Sequence, residues 1–135
     1  MTDAPTASGS AIRSAAPTSD WPALLGRADF AGILRQADDF GIERCFSTCS
    51  SAALRTLADS ARYLGRYSLA ERSLLALRKR SPSDAGSTAF FLGRLEESRE
   101  PNKALSWYEK SLEEEPRGPY AAEAQAGKVR MLQHR

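Results

Sequence analysis

The sequence predicts an all-α chain built as a stack of antiparallel helix hairpins, and three observations carry that expectation. Residue types recur 34 positions apart: Ala70 with Ala104, Leu74 with Tyr108, Pro82 with Pro116, Leu57 with Phe91, Ala61 with Leu95, and Gly93-Arg94-Leu95 with Gly127-Lys128-Val129. Apolar residues inside each unit fall at three- and four-residue steps, and no segment keeps the two-residue alternation of a strand. Glycine and proline punctuate the chain where such helices would stop and restart. A unit this short cannot bury its own apolar face and must lean on the next copy.

Residues 1–19 are almost wholly Ala, Ser, Thr, Pro and Gly, with too little apolar area to offset the entropy of ordering, and read as a disordered leader. Asp20 is a candidate N-cap for a first short helix, Trp21 to Leu25, with Pro22 in its first turn and Gly26 after its end. A second helix runs from the cap Asp29 through Phe30, Ile33, Leu34 and Ala37 to Phe40, where Gly41 closes it. Ile42 to Cys49 is ambiguous. Ser51 opens a helix carrying Leu54, Leu57, Ala58, Ala61 and Leu64 on one face and ending at Gly65. Ser68 is the expected cap of its partner, with Leu69, Ala70, Leu74 and Leu77 inward and Arg78-Lys79-Arg80 in the last turn, where cations suit the helix dipole. Ser81-Pro82-Ser83-Asp84 reads as a stop and restart. The next helix buries Phe90, Phe91 and Leu95, and a polar turn leads to Lys103–Glu114. Pro116-Arg117-Gly118-Pro119 breaks the chain before a final helix from Tyr120 toward Gln133. The total is six or seven helices.

Helix, tight turn, helix, proline is the grammar of each unit. Small residues at Ala70 and Ala104 let paired helices approach closely, while Leu74 and Tyr108 one turn later fill the space beside them. In length and in these small, aromatic and proline slots the chain resembles the tetratricopeptide repeat, most clearly in Gly65-Arg66-Tyr67-Ser68-Leu69-Ala70 with Leu74 and Pro82. An earlier copy, Gly26-Arg27-Ala28-Asp29-Phe30-Ala31, matches at an offset of 39. The resemblance divides the chain into a divergent unit over 20–50, units over 51–84 and 85–118, and a capping helix over 119–134. It implies a right-handed superhelical stack. Two departures stand out: Leu92, or Gly93 with one residue lost before Ala104, holds the usual small slot, and Pro101 replaces a turn aromatic. The wording around Gly65, Gly93 and Tyr120 is also similar to the repeat-bearing C-terminal regions of bacterial FecR-type signalling proteins and of the Tol-Pal coordinator.

In the repeat family the first helix of each pair lines a groove that receives a peptide. Carried onto this sequence, the resemblance assigns Arg55, Asp59, Arg62 and Tyr63 to that groove, then Ala89, Gly93, Glu96 and Glu97, then Glu123, Gly127 and Arg130. It implies a non-enzymatic scaffold or adaptor for a protein segment. Read blandly, the same charges are solvated helix surface, with Arg55, Asp59 and Arg62 giving helix support of ~0.2–0.5 kcal/mol per pair. Cys45 and Cys49 share a helix face and are read as small buried free thiols, the alternative being a thiol, redox or soft-metal site. Trp21, Trp107, Tyr108, Phe90 and Phe91 are expected in the core. Arg78-Lys79-Arg80 and Glu113-Glu114-Glu115 are expected as solvated helix ends. The polar Gln125, Lys128, Arg130 and Gln133 suit the last helix to be a solubilising cap, the alternative being self-association that covers Met131 and Leu132.

Composition narrows the rest. The chain has 135 residues, 41% hydrophobic and 27% charged, with a formal net charge of +2. That length suits one domain, and that charge gives no bulk attraction to nucleic acid. No run approaches the ~20 apolar residues of a membrane span, and Met1-Thr2-Asp3-Ala4-Pro5 lacks the basic start of a signal peptide. A cytoplasmic chain is expected, or a periplasmic one if this is a piece of a longer envelope protein. No phosphate loop, catalytic triad or paired carboxylates can be named, so neither enzyme chemistry nor a cofactor or metal is expected.

Overall fold

The computed structural model describes residues 16–133. The expected leader lies outside that range except for its last four residues, and so does His134. Among the described residues there is no strand, and the helices are α1 (Ala16–Ser19), α2 (Trp21–Gly26), α3 (Phe30–Phe40), α4 (Ile42–Thr48), α5 (Ser51–Tyr63), α6 (Tyr67–Arg80), α7 (Ala85–Glu96), α8 (Pro101–Glu114) and α9 (Ala121–Gln133). Pro82–Asp84 forms a 3-10 turn between α6 and α7. The all-α expectation holds. The number of helices was set too low because the ambiguous Ile42–Cys49 stretch is helical and a short helix precedes Trp21.

The elements pack in chain order: α2 on α3, α3 on α5, α5 on α6, α6 on α7, α7 on α8 and α8 on α9, with α4 wedged against α3 and α6. A larger core runs from Trp21 to Leu95, and a second forms around Phe90, Ala104, Leu105, Tyr108, Ala124 and Met131. Phe91 packs against both. Ala70 and Ala104 are fully buried, as their close-approach role requires.

The helix caps fix the true register of the units. Asp29 accepts a hydrogen bond from the Gly32 N–H at 3.0 Å, and Ser50, one residue before the expected start, accepts from the Ala53 N–H at 3.1 Å. Asp20 makes no capping bond, and α6 starts at Tyr67 after Arg66, one residue ahead of the expected Ser68 cap. The first helix of each main unit starts after Ser50 and Asp84, and the second after Arg66 and Glu100. Both pairs lie 34 residues apart, so no residue is lost before Ala104.

The divergent unit is displaced from its expected register. The backbone N–H of Asp29 donates to the Leu24 carbonyl, and that of Arg66 to the Ala61 carbonyl, both at 2.8 Å. In each case the residue just before it is left-handed: Ala28 at φ +56° and Gly65 at φ +75°. Ala28 therefore corresponds to Gly65, an offset of 37 where sequence matching gave 39. The match misled because Gly26 lies inside α2 and an alanine makes the turn usually left to glycine.

Three further expectations are corrected. Cys45 and Cys49 are not free thiols: they are joined in a disulfide along one face of α4, with Cα atoms 4.7 Å apart, inside the range that a disulfide spans. Arg78 is not a solvated end, and Arg80, though exposed, is engaged. Arg78 donates to the Ala85 carbonyl at 2.7 Å, forks onto both Glu114 oxygens at 3.0 and 2.9 Å, and lies over the Trp107 ring, so one side chain ties α6, α7 and α8. Arg80 donates to the carbonyls of Phe46, Ser47 and Cys49, closing the C-terminal end of the disulfide-bearing α4. Glu115 accepts from Ser87, so of the acidic run two members are structural. Of the expected core aromatics, Trp21, Tyr108 and Phe90 are buried while Phe91 and Trp107 are half-buried.

Tyr108 explains why Gly93 and Gly127 recur. A Cβ on Gly93 would lie 2.7 Å from ring carbons Cδ1 and Cε1, and one on Gly127 would lie 2.6 Å from Cε2 and Cζ. The phenol ring thus fills a slot between α7 and α9 that exists only because both lack side chains there. One repeat earlier the smaller Leu74 replaces Tyr108, and Asp59 stands in the position of Gly93. Gly93→Ala or Gly127→Ala should each cost about 1–3 kcal/mol, as overpacking does, and adding Tyr108→Leu to Gly93→Ala should recover part of that loss. Urea unfolding of the single and double variants checks this, and strictly additive losses would refute the shared slot.

Candidate functional site

The helix hairpins leave two adjoining clefts. The first, of about 330 Å³, lies between α5 and α7 with α2 and α3 at its end, and is lined by Leu25, Phe30, Arg55, Ala58, Asp59, Arg62, Tyr63, Ala70, Leu74, Phe91, Arg94 and Leu95. The second, of about 480 Å³, lies between α7 and α9, with Phe90, Arg94, Glu97, Tyr120, Glu123 and Arg130 on its walls. Arg94 lines both, so the clefts meet at that side chain.

In the first cleft Arg55 pairs with Asp59 at 3.5 Å and lies over the Phe91 ring, 3.9 Å from its centroid. The expected support of Arg62 for Asp59 gives way to another contact, the Arg62 guanidinium over the Tyr63 ring at 4.9 Å. Tyr63 is 63% exposed, yet its ring stacks on Phe30 with centroids 4.4 Å apart, which anchors an aromatic pair at the mouth. The interior offers Ala58, Leu74 and Leu95. The cleft is therefore apolar within and cationic at its walls.

The second cleft is held by a chain of charge. Tyr108, buried beneath it, donates its hydroxyl to Glu97, and Arg130 donates to the same carboxylate at 2.7 Å through Nη2 and 3.3 Å through Nε. Burial pushes the Glu97 carboxyl up, but the hydrogen bonds from Arg130 and Tyr108 outweigh it and hold the group below its ordinary value of 4.5. Burial, with the Glu97 carboxylate beside it, raises the Tyr108 phenol well above its usual range. The Arg78 fork likewise holds Glu114 low.

The expected groove residues divide three ways. Arg55, Asp59, Arg62 and Tyr63 come together in the first cleft, and Glu97, Glu123 and Arg130 in the second. Ala89, Gly93, Glu96 and Gly127 are buried and line neither cleft. Glu96 is fully buried one helical turn after the buried Leu92, facing α8, with Lys103 at 3.5 Å and Arg99 at 3.7 Å. Neither of its carboxylate oxygens takes a hydrogen bond. The wide Tyr108 ring draws the Gly93 stripe of α7 inward and leaves the stripe one residue later, Phe90, Arg94 and Glu97, on the cleft. Arg94 was missed for that reason, although the spacing 90, 94, 97 is itself a helix face.

Among the described residues no three His, Cys, Asp or Glu side chains gather where a metal ion could be held, and no helix is long and apolar enough to cross a membrane. Cys45 and Cys49 are nearly inaccessible and bonded to each other. In comparisons with known proteins, no family model, no curated protein and no solved structure matches this chain significantly.

Glu97 and Glu114 have folded pKa values below their unfolded ones, so the stability they contribute is complete above about 4.5 and is lost as the pH falls below it. Arg130→Ala and Arg78→Ala should therefore lower the urea midpoint at neutral pH, and the gap to the parent chain should shrink on acidification below 4.5. A gap that does not change with pH would contradict this account of the two pairs.

Proposed function

We propose that this chain is a non-enzymatic adaptor that holds a peptide or protein segment along the two clefts, in the manner of a tetratricopeptide scaffold with a right-handed stack of hairpins. The observation that carries the reading is the junction at Arg94: both clefts open on α7 and lie between the first helices of successive units, so one extended segment can run past α5, α7 and α9. Packing in chain order, the shared 34-residue spacing of the caps and the paired Ala70 and Ala104 support the repeat architecture. The clefts are open, polar at the rim and apolar within, which suits a polypeptide ligand. The thiol or metal alternative at Cys45 and Cys49 gains no support, because the sulfurs are bonded to each other and nearly inaccessible. Self-association through α9 draws some support from Val129 and Leu132, both more than 40% exposed.

The disulfide bears on where the protein works. A buried Cys45–Cys49 bond is maintained far more readily in an oxidising compartment than in a cytosol poised with glutathione. It favours the bacterial envelope-associated setting over the cytoplasm that the N-terminal residues alone suggest.

Two measurements test this reading. Peptides selected by the full chain from a random display library should slow amide exchange in α5 and α7; failure to select any peptide, or protection confined to α4, would remove the scaffold function. Alkylation of the protein taken from its native cell, denatured without reductant, should add no mass, whereas two added groups would place it in a reducing compartment.

A further inference from the structure

We infer that the first cleft is selective for an acidic polypeptide segment, seating a carboxylate between Arg62 and Arg94 and an aromatic or aliphatic side chain on the apolar surface below, and this rests on the adaptor reading above. Of the three arginines on its walls, only Arg55 has an ion-pair partner within the described residues, Asp59 at 3.5 Å. Asp59 is thereby answered as well. Glu97, which feels the Arg94 charge through space without a salt bridge to it, is already hydrogen-bonded by Arg130 and the Tyr108 hydroxyl. Among the described residues Arg62 and Arg94 have no salt bridge of their own, and they stand on the first helices of successive units, α5 and α7, across the same opening.

Their surroundings specify the rest of the ligand. Arg62 rests over Tyr63 and Arg94 faces Phe90 at 5.8 Å, contacts that orient a guanidinium without neutralising it. Beneath them lie Ala58, Leu74 and Leu95, and the Phe30–Tyr63 stack forms one wall. A volume of about 330 Å³ is near the lower bound for ligand sites and accommodates an apolar side chain with its acidic neighbour, not a bulky fold. Planar guanidinium forks recognise carboxylates in two-point contact, and the low-polarity floor strengthens that attraction by excluding water. A basic segment would meet the positive charges of Arg62 and Arg94 in the same place.

The test uses the full chain on immobilised peptides in three charge classes that share one aromatic centre: Glu-Phe-Glu, Gln-Phe-Gln and Lys-Phe-Lys in otherwise identical Gly/Ser tracts. The acidic class should be captured, more weakly as salt rises. Arg62→Glu and Arg94→Glu should each weaken that capture about tenfold or more, Arg62→Gln and Arg94→Gln should weaken it less, and Lys79→Glu, which lies against α4 away from the cleft, should leave it unchanged. Both arginines are on the surface, so helicity measured by circular dichroism should match that of the parent. Equal or stronger capture of the Gln or Lys class would overturn the acidic preference while leaving the adaptor function standing. So would acidic capture that is indifferent to both arginine reversals. Capture of none of the three classes would overturn the inference, and if library selection also failed, the adaptor reading would fall with it.

Discussion

Two absent methylene-sized groups govern the C-terminal half of the molecule. Because Gly93 and Gly127 carry no Cβ, the Tyr108 ring slides between α7 and α9 and is sealed from solvent. Its hydroxyl then reaches Glu97, Glu97 holds Arg130, and the wall of the second cleft is set. The same packing turns the Gly93 stripe of α7 away from the surface and presents Arg94 and Glu97 instead. Shape in the core thus decides which charges face outward.

Electrostatics supplies the joints that apolar packing leaves open. Arg78 bridges three helices from a single side chain, and Arg80 satisfies carbonyls at the end of α4. These arginines lie where a helix in one unit ends against the beginning or end of another, the places where backbone groups lack intrahelical partners. Arg62 and Arg94 differ from them in having aromatic company but no salt bridge among the described residues. That division separates arginines that hold the fold together from those left available at a cleft.

Helix type and approximate extent were legible in the sequence because apolar spacing, caps such as Asp29 and breakers such as Gly65 and Pro82 act locally. The main repeat spacing was legible too, since Ala70 and Ala104 face the same close approach. What escaped notice depended on contacts distant along the chain. The divergent unit was misplaced by two residues because Ala28 takes a left-handed turn with no glycine to announce it. Arg80 lies 31 residues from Cys49 and 34 from Phe46, carbonyl partners that only folding brings to it. At the candidate site, Arg55, Asp59, Arg62 and Tyr63 were placed by the repeat resemblance, while Glu96 was expected outside and lies buried, and Arg94 was not named for the groove. A one-residue rotation of α7, imposed by a ring on α8, is invisible to any pattern within α7.

The constraint on which this description turns is the wedging of one aromatic ring between two glycine backbones. Proton NMR measures it directly, through nuclear Overhauser contacts from the Tyr108 ring to the α-protons of residues 93 and 127. Strong contacts to both glycines are predicted in the free protein. Contacts to only one of them, or to neither, would mean that α7 and α9 do not close on α8 in this way, and the clefts built on that closure would not exist as described.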